Sequence, residues 1–374
     1  MKFVISTQEF NYLISRVLNV VSSKSTIPIL SNILIEAKKG QLYLTATDLT
    51  VGVRCFTEAK IIEEGATTLP ARRLGQLIRE LTAVNIEFVT NDNDMTEIIA
   101  DSSRFKLYGM NKNEYPQLPD LQEAHKFKIN QSDLKEALYM TSFAVSREDN
   151  RYVLTGVNLS IKNGWATLVG TDGKRLAKTT LKVQAEPQVE GNYIVPLKAV
   201  EEIQKNLKDE GEAIVFLMKD KIALQLEEAI IITKLLTGEY PDVDRVIPQN
   251  PELKITLHRE ELSQLLKQVS LFTQEGSHSV KFTFTPGELK LVANTSDIGE
   301  GVVKMPVNYQ GNKLDIAFNP NYFMDILRHS KSETVDLGLS DPFNPGIITE
   351  SAEKKQKEDR GAIFVLMPMR LGEE

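Results

Sequence analysis

The sequence predicts an α+β protein built from three tandem copies of one domain, and three observations predict it. A short strand running into an amphipathic helix recurs near residues 3, 127 and 253, a spacing of roughly one third of the 374-residue chain. Pro70, Pro196 and Pro320 each open a second helical stretch and lie 126 and 124 residues apart. Strands ending in Thr47-Asp48 and Thr171-Asp172 stand at matching places in the first two copies. A repeat this long is a whole domain rather than a solenoid unit. The alternative is a single large α+β domain in which the same signals recur in the same order by chance.

In the first copy, Ser6 and Glu9 have the spacing of a capping box, in which a hydroxyl takes one orphan helix N–H and the Glu reaches back for another. Apolar residues at 10, 13, 14, 17, 18 and 21 then give helical periodicity. Alternating strands follow over 41–48 and 51–56, and a second helix starts at Leu69-Pro70-Ala71, where proline has no N–H to leave unpaired. Strands near 85–90, 95–100 and 104–110 close the copy. Pro116 and Pro119 mark 114–120 as a linker.

The second copy repeats this order. Its strand over 165–172 matches the one ending at Asp48, Val195-Pro196-Leu197 matches Leu69-Pro70-Ala71, and Glu239-Tyr240-Pro241 echoes Glu114-Tyr115-Pro116. The third copy has its strand at 289–294 and its second helix from Asn319-Pro320-Asn321. Each copy is expected to hold two helices and about six to eight strands, with apolar helix stripes on the buried sheet face. The boundaries read as 1–121, 122–249 and 250–374, and the charged run 351–360 reads as a surface loop.

Composition narrows the function. With 41% hydrophobic residues the chain can bury substantial cores, and the single cysteine, Cys55, fits a reducing compartment. The first residues lack the pattern of a secretory leader, and no stretch approaches the roughly 18 apolar residues of a membrane span. A soluble cytoplasmic protein with no membrane partner is expected. The net charge of −7 lowers the expectation of nucleic-acid binding without deciding it, because a basic lining can coexist with an acidic exterior.

No catalytic constellation, metal site or cofactor is expected. His125, His258, His278 and His329 are scattered, without the i, i+4 spacing of a helical metal site. Cys55 alternates in phase with Val51 and Val53, the pattern of a buried strand residue. The stretch from Gly170 to Arg175 fails as a phosphate loop, with Leu168 at the first glycine position and Arg175 at the Ser/Thr position. Cations do recur on the helices: Arg16, Lys24, Arg72, Arg73 and Arg79; Lys135, Arg147, Lys198 and Lys205; Lys267, Arg328 and Lys331. Carboxylates share those helices, and periodicity does not say whether the cations converge. At the other end, 362–366 reads as a strand. The Met367-Pro368-Met369-Arg370-Leu371 tail beyond it has the adaptable methionines of a contact surface.

Together with the triplication, Thr26-Ile27-Pro28-Ile29-Leu30, Thr47-Asp48-Leu49, Pro70-Ala71-Arg72, the run from Thr171 to Leu176, Tyr240-Pro241-Asp242 and the Met-Pro-Met-Arg-Leu tail resemble the bacterial DNA polymerase III beta subunit, the replication sliding clamp, over essentially residues 1–371. The resemblance implies three DNA-clamp domains per chain and a head-to-tail homodimer forming a six-domain ring around duplex DNA, without base readout or catalysis. It implies joints at which Phe105 and Leu107 of copy one face Leu271 and Phe272 of copy three.

It further implies a peptide cleft between copies two and three, which takes linear peptides from the replicative polymerase, the clamp loader and repair proteins. The matching cleft residues are Leu154, Thr171, Gly173, Arg175, Leu176, Pro241, Arg245, Val246, Asn319, Tyr322, Val365, Met367, Pro368, Met369 and Arg370. For DNA they are Lys24, Arg72, Arg104, Tyr152 and Lys198. Lys174 stands where a histidine is familiar, Ser277 replaces a rim aromatic, and Val153 replaces a second tyrosine. Gly372-Glu373-Glu374 extends the tail by two carboxylates.

Two other readings compete with a clamp. One is a ring-shaped or linear scaffold that binds peptides without encircling DNA, motivated by the acidic balance. The other is an enzyme on triplicated α+β units.

Overall fold

A computed structural model of the chain describes all residues except 23–25, 122–123, 186–188, 275–277, 351–360 and 371–374. Lys24, Ser277, the charged run and the 372–374 extension lie outside the described residues. The described residues form six α-helices, two per copy: α1 Thr7–Val17, α2 Ala71–Glu80, α3 Gln131–Ser142, α4 Leu197–Asn206, α5 Arg259–Ser270 and α6 Pro320–His329. The first two copies hold nine described strands each, one more than the sequence suggested, and the third holds eight, within the expected range. Short strands such as Lys60–Glu63 and Gln184–Ala185, only four and two residues long, carry too little periodicity to be read.

The chain falls into two compact units. One comprises Met1–Lys135, Gln184–Val189 and Lys198–Leu236; the other comprises Glu136–Val183, Glu190–Leu197 and Thr237–Glu374. The division runs through the second copy because each half of that copy continues a neighbour's sheet. In the first unit, Ala229–Lys234 of copy two pairs antiparallel with Val51–Glu58 of copy one, with Ile231 opposite Val53, making a nine-stranded sheet. In the second, Arg175–Lys182 pairs with Ile363–Leu366 of copy three, with Leu176 opposite Val365, making an eight-stranded sheet.

Each unit also has a smaller sheet. In the five-stranded sheet of the first, Ser103–Tyr108 is an edge; in the four-stranded sheet of the second, Gly299–Pro306 is an edge.

The helices bury the faces their periodicity marks. In α1, Phe10, Leu13, Ile14 and Val17 are buried, and Phe10 lies against Phe88, which stacks on Phe3. Half of the expected capping box is present. The Glu9 amide donates to Ser6 Oγ across 3.2 Å, but the Glu9 carboxylate turns away and accepts from Thr57 Oγ1 at 2.6 Å, because a neighbouring strand offers it a hydroxyl. In the second unit, α5 and α6 set Leu262, Leu266, Phe323, Ile326 and Leu327 into an apolar core. There Phe282, Phe318 and Phe323 pack ring to ring at 5.3 to 5.8 Å. Cys55 is fully buried, and burial pushes its thiol up to about 12, which suits a packing residue rather than a nucleophile.

Candidate functional site

The strand Arg175–Lys182 starts from a tight turn that shapes the site. Thr171 Oγ1 accepts from the Gly173 amide and donates to the Arg175 carbonyl, while Asp172 Oδ1 accepts from the amides of Lys174 and Arg175. The left-handed backbone favours glycine here: Gly173 has φ +84°, and a Cβ there would lie 2.1 Å from Arg151 Nη1, whose side chain would have to move. Across the sheet, the Met367 amide donates to the Lys174 carbonyl at 2.9 Å, and the Met369 amide donates to the Ala317 carbonyl at 2.7 Å. The C-terminal tail is therefore pinned at two points by its own backbone.

Turn, tail and the 241–246 segment enclose an open cavity of about 370 Å³. Its floor is Leu176 and Val365, backed by Val169 and Ile247 of the same buried cluster, with Val243 and Tyr240 packed against that cluster. Tyr240 donates to the Val169 carbonyl at 3.3 Å, and its burial raises the phenol pKa, so it stays a neutral donor. A leucine-sized side chain seated on such a floor gains about 1.5–3 kcal/mol from desolvation.

Of the fifteen cleft residues expected from the sequence, nine line this cavity: Leu154, Thr171, Gly173, Arg175, Leu176, Pro241, Val246, Val365 and Met367. Arg151, Lys174, Asp242 and Val243 join them. The other six are not among its lining residues, and several have a structural task instead. Asn319 caps α6, its side chain accepting from the Asn321 and Tyr322 amides, while Tyr322 lies under the Arg175 guanidinium at 4.6 Å. Arg245 sits outside with Asp242, Nε to Oδ2 at 2.8 Å. Pro368, Met369 and Arg370 continue the tail toward Ala317.

Arg175 itself is held at all three of its nitrogens. It donates from Nε to Asp172 at 3.2 Å, from Nη1 to Asp325 at 2.6 Å and from Nη2 to the Phe143 carbonyl at 2.9 Å. It is a wall that holds its neighbours, not a free cation for a ligand. Lys174 is exposed and makes no ion pair among the described residues, so it is the rim charge available to an acidic group.

The three copies match the DNA polymerase III beta subunit N-terminal domain over residues 1–119, its central domain over 128–242 and its C-terminal domain over 244–370. The chain belongs to the DNA polymerase III beta subunit family. Similar proteins include the beta sliding clamps of Chlamydia pneumoniae, 53% identical over the whole of both chains, and of Haemophilus influenzae, 30% identical over 99% of this chain and 100% of that one. Among solved structures, a Pseudomonas aeruginosa sliding clamp bound to griselimycin superposes with a TM-score of 0.94 at 30% identity, covering 99% of this chain and all of the other. A Bacillus subtilis clamp superposes with a TM-score of 0.93 at 26% identity over the whole of both.

The residues expected at the clamp joints lie on or beside open edges. Phe105 and Leu107 sit half-buried on the edge strand Ser103–Tyr108. Leu271 is 74% exposed just past α5, and Phe272 is half-buried against Gly301 of the other edge strand.

The expected DNA residues fare unevenly. Arg72 is exposed on α2 with Arg73 and Arg79, and none of the three has an ion pair among the described residues. Tyr152 is 54% exposed. Arg104 reaches Glu97 at 3.6 Å, and Lys198 is ion-paired with Asp48. Burial alone would raise the Asp48 pKa, but the Lys198 ammonium and the Val51 and Thr50 amides outweigh it, so the carboxyl stays below its usual range. Arg16, one of the helix cations, is buried and tied to Asn206 and Glu228, so it offers nothing to a ligand.

Proposed function

We propose that the chain acts as a processivity clamp. Two copies close head to tail around duplex DNA, and linear peptides of the replicative polymerase, the clamp loader and repair proteins seat on the apolar floor of the cleft. The domains divide at 1–121, 122–249 and 250–374. The protein makes and breaks no bond; tethering keeps a bound polymerase at high effective concentration at the primer end. No helix among the described residues is long and apolar enough to cross a membrane, in keeping with work beside the chromosome in the cytoplasm.

One observation carries the ring. Sheet pairing joins copy two to copy one and copy three to copy two in the same way, which leaves Ser103–Tyr108 and Gly299–Pro306 as the two counterpart strands without a partner. An open strand edge is a template for pairing with another chain, and this heterologous contact closes when its rotation permits. Leu107 and Leu271 lie beside these edges. The DNA side rests on Arg72, Tyr152 and the other exposed α2 cations, with Arg104 and Lys198 contributing as Glu97 and Asp48 release them and Lys24 adding its charge; phosphate contacts of this kind need no base readout.

The decisive experiment loads the protein onto circular and linear DNA and measures retention against salt. Retention on circles alone is expected, and equal loss from both overturns encirclement. The peptide scaffold without DNA is the second reading. It is favoured by the net charge of −7 and by the carboxylate partners of Lys198, Lys205 and Arg328.

A further inference from the structure

The seam between copies one and two is built like the one that carries the peptide cleft, contact for contact. Thr47 Oγ1 accepts from the Leu49 amide and donates to the Val51 carbonyl, as Thr171 does for Gly173 and Arg175. Asp48 Oδ1 accepts from the Thr50 and Val51 amides, as Asp172 does for Lys174 and Arg175. The Lys234 amide donates to the Thr50 carbonyl at 2.9 Å, the distance from Met367 to Lys174. Tyr115, like Tyr240, points its hydroxyl at the strand before the turn. The floor pair Leu176 and Val365 therefore corresponds to Gly52 and Ile232, which face each other in register.

The two seams differ in what fills them. Counting from the linker tyrosines, Val243 corresponds to Leu118. Val243 is one wall of an open cavity over a large floor residue. Leu118 is a longer side chain over a glycine, and it goes down into the space: a Cβ on Gly52 would lie 2.5 Å from Leu118 Cδ2 and 3.2 Å from Ile232 Cγ2. Leu118 makes no hydrogen bond among the described residues, so packing alone holds it there.

We infer that Leu118 is an intramolecular plug: it occupies the first seam as a peptide side chain would, and so restricts the chain to one peptide site. The inference rests on reading the second seam as a peptide cleft. The physics is competition. A leucine tethered a few residues from its pocket has an effective concentration on the order of millimolar, so at equal affinity it outcompetes a free peptide at micromolar concentration about a thousandfold. Leu118 is half-buried, so removing it opens an apolar groove over Gly52 and Ile232 that an apolar side chain can enter. Leu49 stands where copy two has Gly173, and Thr50 stands in place of Lys174, so the vacated site lacks the rim charge and favours an uncharged apolar side chain.

The test titrates a fluorescein-labelled hexapeptide ending in two leucines against full-length wild type, L118A and L118S, with native mass spectrometry reporting stoichiometry. The wild type is expected to take one peptide per chain and both variants two. L118A truncated after Leu366 is expected to return to one. A stoichiometry of one in both folded variants overturns the plug, and so does a stoichiometry of two in the wild type. A wild type that binds none sinks the reading of the second seam instead; the plug is then supported if the variants gain a site and overturned if they do not.

Discussion

Arg175 and Asp325 meet at 2.6 Å, and the second oxygen of the same carboxylate takes Arg328 at 3.1 Å. One Asp thus ties a wall of the cleft to the outer face of α6. Asp325→Asn keeps the shape but removes the charge facing a guanidinium whose side chain is only 11% exposed. Charge-assisted bonds of this sort contribute about 1.5–3 kcal/mol, and Asp325 is itself partly exposed, so a loss near about 1.5 kcal/mol is expected in urea denaturation. Peptide affinity is expected to fall with it. An unchanged midpoint with unchanged affinity would show that Arg175 is held by Asp172 and the Phe143 carbonyl alone.

His329 gives a pH dependence with a defined sign. Its ring stacks on Phe143 at 4.1 Å and is held by the Asp325 carbonyl at 2.7 Å. Burial lowers its pKa, with Arg328 and Arg175 adding to the effect and the Asp325 carbonyl and carboxylate opposing it. A base depressed in the folded state stabilises above its unfolded pKa of about 6.5, and that contribution is lost as pH falls below it. The thermal midpoint is expected to drop more between pH 7.5 and 5.5 in the wild type than in His329→Phe, which keeps the stack. Parallel slopes would refute the assignment.

Two turns of the same shape hold different residues at the left-handed position. Leu49 has φ +73° and Gly173 has φ +84°. A side chain in that region costs roughly 1–2 kcal/mol, partly offset by the entropy a glycine loses on folding. Leu49→Gly is expected to raise stability by about 0.5 kcal/mol. Gly173→Ala is expected to lower it and to weaken peptide binding, since Arg151 must move. Calorimetry on the pair checks the contrast; equal signs would be inconsistent with it.

Charging the open edges tests the ring. Phe105→Asp or Leu271→Asp is expected to yield monomers in sedimentation while leaving peptide affinity unaltered. An undisturbed dimer would place the joint elsewhere.

Truncation after Leu366 removes the residues whose amides reach Lys174 and Ala317. Polymerase stimulation is expected to disappear with the dimer intact. Stimulation at wild-type level would exclude the tail from the site.

The sequence by itself determined the threefold repeat, the two helices of each copy and the turn residues Thr47-Asp48 and Thr171-Asp172, because periodicity, caps and turns are local. It also marked the tail and the apolar cleft positions, through residues matched to a family. Pairing partners were not legible. Arg16 and Arg72 are both helix cations, yet one is buried against Asn206 and Glu228 and the other is exposed. Glu9 abandons half of its capping box for Thr57, 48 residues away. Only the tertiary structure decided that Arg175 is tied to Asp172, Asp325 and the Phe143 carbonyl, that Lys198 meets Asp48, and that Leu118 lies over Gly52 while its counterpart Val243 borders an open cavity. The reason is the same in each case. Whether a charge is free or a groove is filled depends on atoms brought together by sheet pairing across distant stretches of chain, and the spacing along any one stretch does not encode them.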